Sequence, residues 1–348
     1  MYFKSLQSFR GLFALLIFLN HYHYSDTLDS LFPAGGDAGV AFFFILSGFV
    51  MSVGYMDQTS QIGYDRNFPA FIWKRMSKLY PLHLLCLLLS VKIFCSTDFW
   101  PNIANLLLIQ AWIPYPHWFF SGNGVSWCLS AFLFIYITVP LIFKLYRTHR
   151  RYFILSYLAV TLFYALAIIP VIPQDFENAI IYICPATRLL DFILGIILWD
   201  CYRHLRPVHY NGYISAICGL CVLGLFVATL LVYFSMPSPY SLSLLWWPSV
   251  CAIILYAATM APKFLSSRPL VKFGDISFSF YLIHVLVIYA TYMALNKFGI
   301  QISPFPRLIL ALGIATLSAM ILHRWYVIPV ERYIRSRIKA RNSDTGAS

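Results

Sequence analysis

Charge is what this sequence has least of. Only 11% of its 348 residues are Asp, Glu, Lys or Arg, and the 13 acidic residues are heavily outnumbered by 25 basic ones. A soluble domain carries about 25% charged residues, so a water-soluble globule of this size is excluded. Also absent are any polar stretch long enough for a soluble appendage, any internal repeat and any low-complexity tract. Ser47 lacks the G-x-S-x-G frame of a nucleophile elbow, and its Ser-Gly pair reads as a device for close helix packing. The C-x-x-C at Cys218 and Cys221 has no second pair and sits in an apolar run, which argues against zinc-ribbon or thioredoxin chemistry. The eight cysteines are expected to serve in core packing, and no bound metal is expected. No small-residue cleavage site follows the first apolar run, which is expected to be a retained helix.

Hydrophobic residues are plentiful, at 60%, with 18% aromatic. Apolar runs of about 17 to 25 residues mark membrane helices. They fall near 6–24, 38–56, 79–96, 125–143, 152–172, 180–199, 212–234, 243–261, 275–294 and 306–323. An eleventh run, 99–116, holds Pro101, Asn102, Asn105, Gln110, Pro114 and Pro116; it is too polar and too broken to face lipid and is expected to be an outer re-entrant or interfacial segment. The expected fold is therefore an all-α polytopic helix bundle of about ten spans.

The basic residues test that count. With both termini cytoplasmic, all of them except Lys92, Arg188, Lys297 and Arg307 fall on the cytoplasmic side, as the positive-inside rule requires. The net charge of +12 thus reports orientation and contact with anionic lipid in the bilayer, and no nucleic-acid partner is expected. Residues 1–334 are expected to form one integral-membrane domain, followed by a basic and then polar cytoplasmic tail, 335–348, that frays.

Within this apolar chain a few polar residues need a reason. Arg10 and His21 share the first span, eleven residues apart, which places them on nearly one helical face about 16 Å apart along the axis. Ionisable groups at membrane depth cost roughly 2.5 kcal/mol or more and mark substrate paths or proton relays; the alternative is an arginine that snorkels inward and a histidine at the outer interface. His21 suits a general base, since imidazole titrates near neutral pH. Arg10 carries a permanent charge suited to a pyrophosphate or a developing oxyanion. His23 lies about 200° round the helix from His21 and is expected at the interface.

Arg75 and Lys78, at i and i+3, are expected at the cytoplasmic start of the third span, where they suit either phosphate binding or ordinary anchoring. Arg188 and Asp191 share a face and are expected to form a buried ion pair, with acceptor binding as the second reading. His284 follows Tyr281 by three residues, and an interhelical hydrogen bond is expected there. Asn123 and Trp127 belong to an aromatic stretch that either forms an interfacial belt or lines an outer mouth that stacks on a sugar.

The order of the local patterns is more specific than any one of them. Arg10-x10-His21 is followed by Phe43-Phe44-Ile45-Leu46-Ser47-Gly48-Phe49, then Trp73 to Pro81, Ser126-Trp127-Cys128-Leu129-Ser130, Arg188 to Gly195, and Gly274-Asp275-Ile276-Ser277-Phe278-Ser279-Phe280-Tyr281-Leu282-Ile283-His284. This succession resembles the membrane acyltransferase-3 family over nearly the whole chain. The resemblance implies an integral protein of a bacterial cytoplasmic membrane that moves an acyl group, most often acetyl, from cytoplasmic acyl-CoA to an extracytoplasmic carbohydrate. It assigns catalysis to His21 and Arg10 and acyl-donor handling to Arg75 and position 78. Position 78 is lysine here, where the family pattern R-x-x-R has arginine, so bidentate phosphate geometry is lost. Ala41 and Phe132 stand where many members are acidic, and Pro329 and Glu331 reverse the usual E-x-P order. A glycan transporter or flippase is the competing class, though no pair of matched broken helices supports inverted repeats; a glycan polymerase would leave a cytoplasmic phosphate patch unexplained.

Overall fold

In the computed structural model of the protein, the described residues are 2–23, 30–56, 68–94, 98–205, 212–235, 238–260 and 262–345, with side chains described to Arg337. Among them the structure is helical, and the β-structure is confined to an isolated bridge between His23 and Ser30. The helices are α1 Lys4–His21, α2 Ala34–Tyr55, α3 Phe68–Phe94, α4 Phe99–Leu106, α5 Pro116–Phe119, α6 Trp127–Thr148, α7 Arg150–Phe163, α8 Gln174–Glu177, α9 Pro185–Leu205, α10 Gly212–Ser235, α11 Trp247–Thr259, α12 Arg268–Lys297, α13 Pro304–Leu322 and α14 Ile328–Thr345.

Seven of the described helical segments are long and apolar enough to cross a membrane, or eight when Gln174–Ile183 and Pro185–Leu205, bent by 44°, count as one. The segments expected as the two other spans are helical, α1 with 18 residues diluted by Lys4 and Arg10 and the shorter apolar helix Leu244–Thr259, but neither is among the helices long and apolar enough to cross a membrane. The run at 99–116 is not a span: α4 ends at Leu106 and gives way to short helical turns at Gln110–Trp112 and Pro116–Phe119. Helix α10 is almost wholly exposed apolar surface, with Leu220 at 68% and Leu231 at 64%, as a lipid-facing helix should be.

One sequence expectation changes. Helix α3 begins at Phe68, well before residue 79, because Lys, Arg and Met favour helix as strongly as Leu does and only the apolar count ends at the cations. Arg75 and Lys78 therefore lie inside α3 and not at its start. Helix α14 runs through the start of the expected tail to Thr345, with an i,i+4 ion pair between Arg335 and Glu331 at 2.5 Å. Residues 346–348 of the expected tail lie outside the described residues.

The chain separates into two compact units. Among the described residues, the first lies within 1–23, 29–60 and 143–277, and the second within 61–142 and 278–348. In the first unit α2 is the most buried helix, and it crosses α9 with no room for side chains at the contact. A Cβ at Gly48 would collide with the Phe192 carbonyl, and one at Gly195 with the Ile45 carbonyl. Ser47 beside it donates to the Phe43 carbonyl at 2.7 Å, so this Ser-Gly pair acts in packing. Phe13 of α1 stacks on Phe42 of α2 at 4.0 Å between centroids.

The second unit owes its core to a polar knot. Asn105 at the end of α4 donates to the Ser121 carbonyl at 2.5 Å and to Ser126 Oγ at 3.0 Å. Ser121 Oγ donates to the Pro101 carbonyl at 2.9 Å. His83 of α3 meets the Asn105 carbonyl at 3.1 Å, and Tyr80 donates to the Leu106 carbonyl at 3.0 Å. These bonds let an irregular segment stay buried, since the side chains satisfy backbone groups that a helix would satisfy by itself. The cysteine expectation holds for Cys86 and Cys128, which are buried, but Cys201 and Cys221 are exposed.

Candidate active site

In the first unit, α1 carries both residues of the R-x10-H pattern. Gly35 lies against the Leu16 carbonyl and Gly39 against Ile17, so α2 seats the second half of α1 at backbone contact. Asn20 then donates to the Pro33 carbonyl at 2.8 Å, tying the end of the helix to the start of α2. His21, the last residue of α1, is half-buried, whereas His23 is exposed.

The His21 Nδ1 lies 2.9 Å from the Ile17 carbonyl. A carbonyl oxygen only accepts, so this contact places the proton on Nδ1 in neutral imidazole and the basic lone pair on Nε2. Helix geometry thereby selects the tautomer that a base acting through Nε2 requires.

Arg10 is half-buried, eleven residues earlier. Its Nη1 donates to Gln7 Oε1 at 2.9 Å, and Gln7 Nε2 donates to Asp275 Oδ1 at 2.7 Å. Tyr2 also donates to Asp275 Oδ1, at 3.1 Å. Burial, with the hydrogen bond to Asp275 and its charge in support, raises the Tyr2 phenol above its ordinary value, so the hydroxyl keeps its proton as a donor.

Arg188 and Asp191, also in the first unit, form the expected pair at 2.8 Å, each fully buried. Arg188 Nη2 donates to the Ile181 carbonyl at 2.6 Å, and the guanidinium lies 5.9 Å and 5.8 Å from the rings of Phe44 and Tyr182. Asp191 Oδ1 accepts from Trp247 Nε1 at 2.5 Å and Ser243 Oγ at 3.3 Å. The carboxylate thus has donors from three segments, as a buried charge must. Tyr233 lies against the nearby Asp37 carboxylate, which also feels Arg188.

The remaining candidates lie in the second unit. Arg75 and Lys78 are half-buried on α3, the Arg75 guanidinium 5.6 Å from the Phe71 ring. Asn123 donates to the Leu282 carbonyl at 2.7 Å, Tyr281 to the Val125 carbonyl at 2.9 Å, and His284 Nδ1 lies 2.6 Å from the Tyr281 carbonyl. The structure thus brings the segment at Asn123 and Val125 against the turn of α12 that carries Tyr281 and His284.

Within α12, His284 Nδ1 meets the Tyr281 carbonyl one turn back, and the Tyr281 hydroxyl makes a bond between segments. Asn123 and Trp127 are buried, at 0% and 3% exposure, so they do not line an exposed stacking surface; Trp112, Tyr115 and Phe120 hold the exposed aromatic positions. Amide groups that bind distant backbone carbonyls carry no periodic signal, and this is why sequence patterns did not separate the two roles. Gln7 likewise carries no signal in the sequence, whereas its partner Asp275 belongs to the Gly274-Asp275 motif.

The family model described as an acyltransferase domain matches residues 3–324. A curated relative, the acyltransferase MdmB of Streptomyces mycarofaciens, is 28% identical over 287 residues, spanning 73% of this chain and 68% of the relative. No solved structure matches.

Proposed function

This chain belongs to the acyltransferase-3 family of membrane acyl-transferring enzymes, and we propose that it is an O-acyltransferase that carries an acyl group, acetyl in the first instance, from cytoplasmic acyl-CoA to a hydroxyl of an extracytoplasmic carbohydrate in the bacterial cell envelope. Ten spans with both termini in the cytoplasm belong to the same reading, supported by the placement of lysine and arginine.

The observation that carries the mechanism is the His21 contact with the Ile17 carbonyl at 2.9 Å. With Nδ1 as the donor there, Nε2 takes the proton of the acceptor hydroxyl as its oxygen attacks the thioester carbonyl. The tetrahedral intermediate then expels the coenzyme A thiolate, which receives a proton, and the acyl ester is released. Arg10 stabilises negative charge on the acyl oxygen or on the donor's phosphates. Arg75 and Lys78 meet the phosphates of coenzyme A, the lysine as a point charge. Arg188 and Asp191 support the fold around the acceptor path, and Tyr281 and His284 do the same for the second unit. The enzyme needs acyl-CoA as a substrate and no resident cofactor.

The test is thiol release from acetyl-CoA by purified protein in lipid discs, with methyl glycosides as acceptors. Wild type releases thiol, His21→Ala does not while it elutes and melts like wild type, and Arg75→Ala raises the acetyl-CoA KM several-fold. Activity retained in a folded His21→Ala protein overturns the base. Glycan translocation that proceeds without acyl-CoA overturns the class and favours the transporter.

A further inference from the structure

The contact between α12 and α1 within the first unit gives the Gly274-Asp275 pair a role that the motif alone does not reveal. A Cβ on Gly274 would collide with the Gln7 carbonyl, and a Cβ on Gly11 would come 2.7 Å from Phe273. Glycine on both helices brings the two backbones together at the turn of α1 that presents Arg10. Ser8 Oγ donates to the Leu265 carbonyl, so the segment before α12 holds the same turn. At this contact, and not elsewhere on α12, Asp275 reaches Gln7.

The chemistry fixes the direction of the chain. A guanidinium only donates and a carboxylate only accepts, so the Gln7 amide has a single orientation that serves both: Oε1 toward Arg10 and Nε2 toward Asp275. The amide therefore translates a carboxylate on α12 into an acceptor for an arginine on α1. Tyr2 donates to the same carboxylate oxygen at 3.1 Å and so also holds Asp275. Asp275 is itself exposed, so burial of a charge does not account for its partners.

We propose that Asp275 and Gln7 are positioning residues that set the Arg10 guanidinium for the acyl-transfer reaction, with Gly274 as the element that permits their approach. The inference rests on the reading of Arg10 as a catalytic residue, but its core, that Asp275 holds Arg10 through Gln7, does not depend on activity. An amide relay works by accepting and donating hydrogen bonds, so an asparagine at 275, which keeps an acceptor oxygen, serves nearly as well as aspartate. Alanine does not.

Two readouts test it. The first is the rate at which phenylglyoxal modifies Arg10, followed by peptide mass spectrometry on the full chain in lipid discs. Asp275→Ala and Gln7→Leu should each speed modification at Arg10 several-fold, and Asp275→Asn should leave it near wild type. Unchanged Arg10 reactivity in Asp275→Ala overturns the proposal even if the protein proves to have no acyl-CoA activity.

The second is kcat/KM for thiol release. Loss of one hydrogen bond to a charged group corresponds to roughly tenfold or more, so Asp275→Ala and Gln7→Leu should each fall by about that factor, with Asp275→Asn largely restored. On an Arg10→Lys background, Asp275→Ala should add no further loss. Full additivity of the two losses, or equal losses in the Asn and Ala variants, refutes an action through Arg10. Absence of thiol release in wild type, with Arg10 reactivity responding as stated, overturns the acyl-CoA reading alone.

Discussion

Loss of either partner of the Arg188–Asp191 pair should destabilise the protein, and loss of both should cost less than the sum. The two side chains are fully buried and 2.8 Å apart. At an effective dielectric of about 20, two unit charges at that separation attract by roughly 6 kcal/mol, and burial of both ions consumes most of that gain. Removal of one leaves the other in an apolar interior with its remaining partners. Among the described residues Arg188 keeps the Ile181 carbonyl and two aromatic faces close by, with Asp37 and Tyr164 in electrostatic range; Asp191 keeps Trp247 and Ser243.

Asp191→Leu should therefore cost about 3 to 5 kcal/mol and Arg188→Met about 3 kcal/mol, the range for an orphaned buried charge. Asp191→Leu is the worse of the two because a guanidinium stays charged at every accessible pH, whereas the indole and hydroxyl donors still serve the carboxylate. The double variant should cost less than the sum of the two single losses, by a coupling of about 2 kcal/mol or more. Melting of the purified protein in detergent, followed by size exclusion after heating, reads the order; a single-variant loss on the order of 5 °C is expected. A double variant that melts at the sum of the two single losses refutes the reasoning, because it would mean the two charges do not depend on each other.

Glycine positions give a paired test of the helix contacts. Gly48→Ala should lower the melting temperature by the equivalent of about 1 to 3 kcal/mol, as overpacking does, because its Cβ meets the Phe192 backbone. Gly224→Ala, with nothing within 4 Å, should be neutral or raise stability by up to about 1 kcal/mol through helix propensity; equal effects at the two positions would deny the close crossing. In the second unit, Tyr281→Phe removes the donor to the Val125 carbonyl and should cost about 1 kcal/mol with the acetyl-CoA KM unchanged. A raised donor KM in Tyr281→Phe would instead put that hydroxyl at the substrate.

Segments that turn on local sums were legible in the chain itself. Each apolar run holds its own desolvation energy and its own backbone hydrogen bonds, so ten helical segments could be counted without knowing their neighbours. The same local logic identified 99–116 as broken, since its prolines and amides prevent an unbroken hydrogen-bonded ladder. The Arg188–Asp191 pair was legible because both members lie on one helix, one turn apart.

What tertiary structure decided are the contacts between segments far apart in sequence. Trp247 and Ser243 reach Asp191 across more than 50 residues, Asn123 reaches Leu282 across 159, and Gln7 reaches Asp275 across 268. No helical period connects such positions. Their meeting depends on where glycines let two backbones touch and on which polar side chain then finds an unsatisfied partner. Sequence thus determined which residues are too costly to bury in an apolar helix without a reason, and the packing of the helices supplied the partners that make their burial possible.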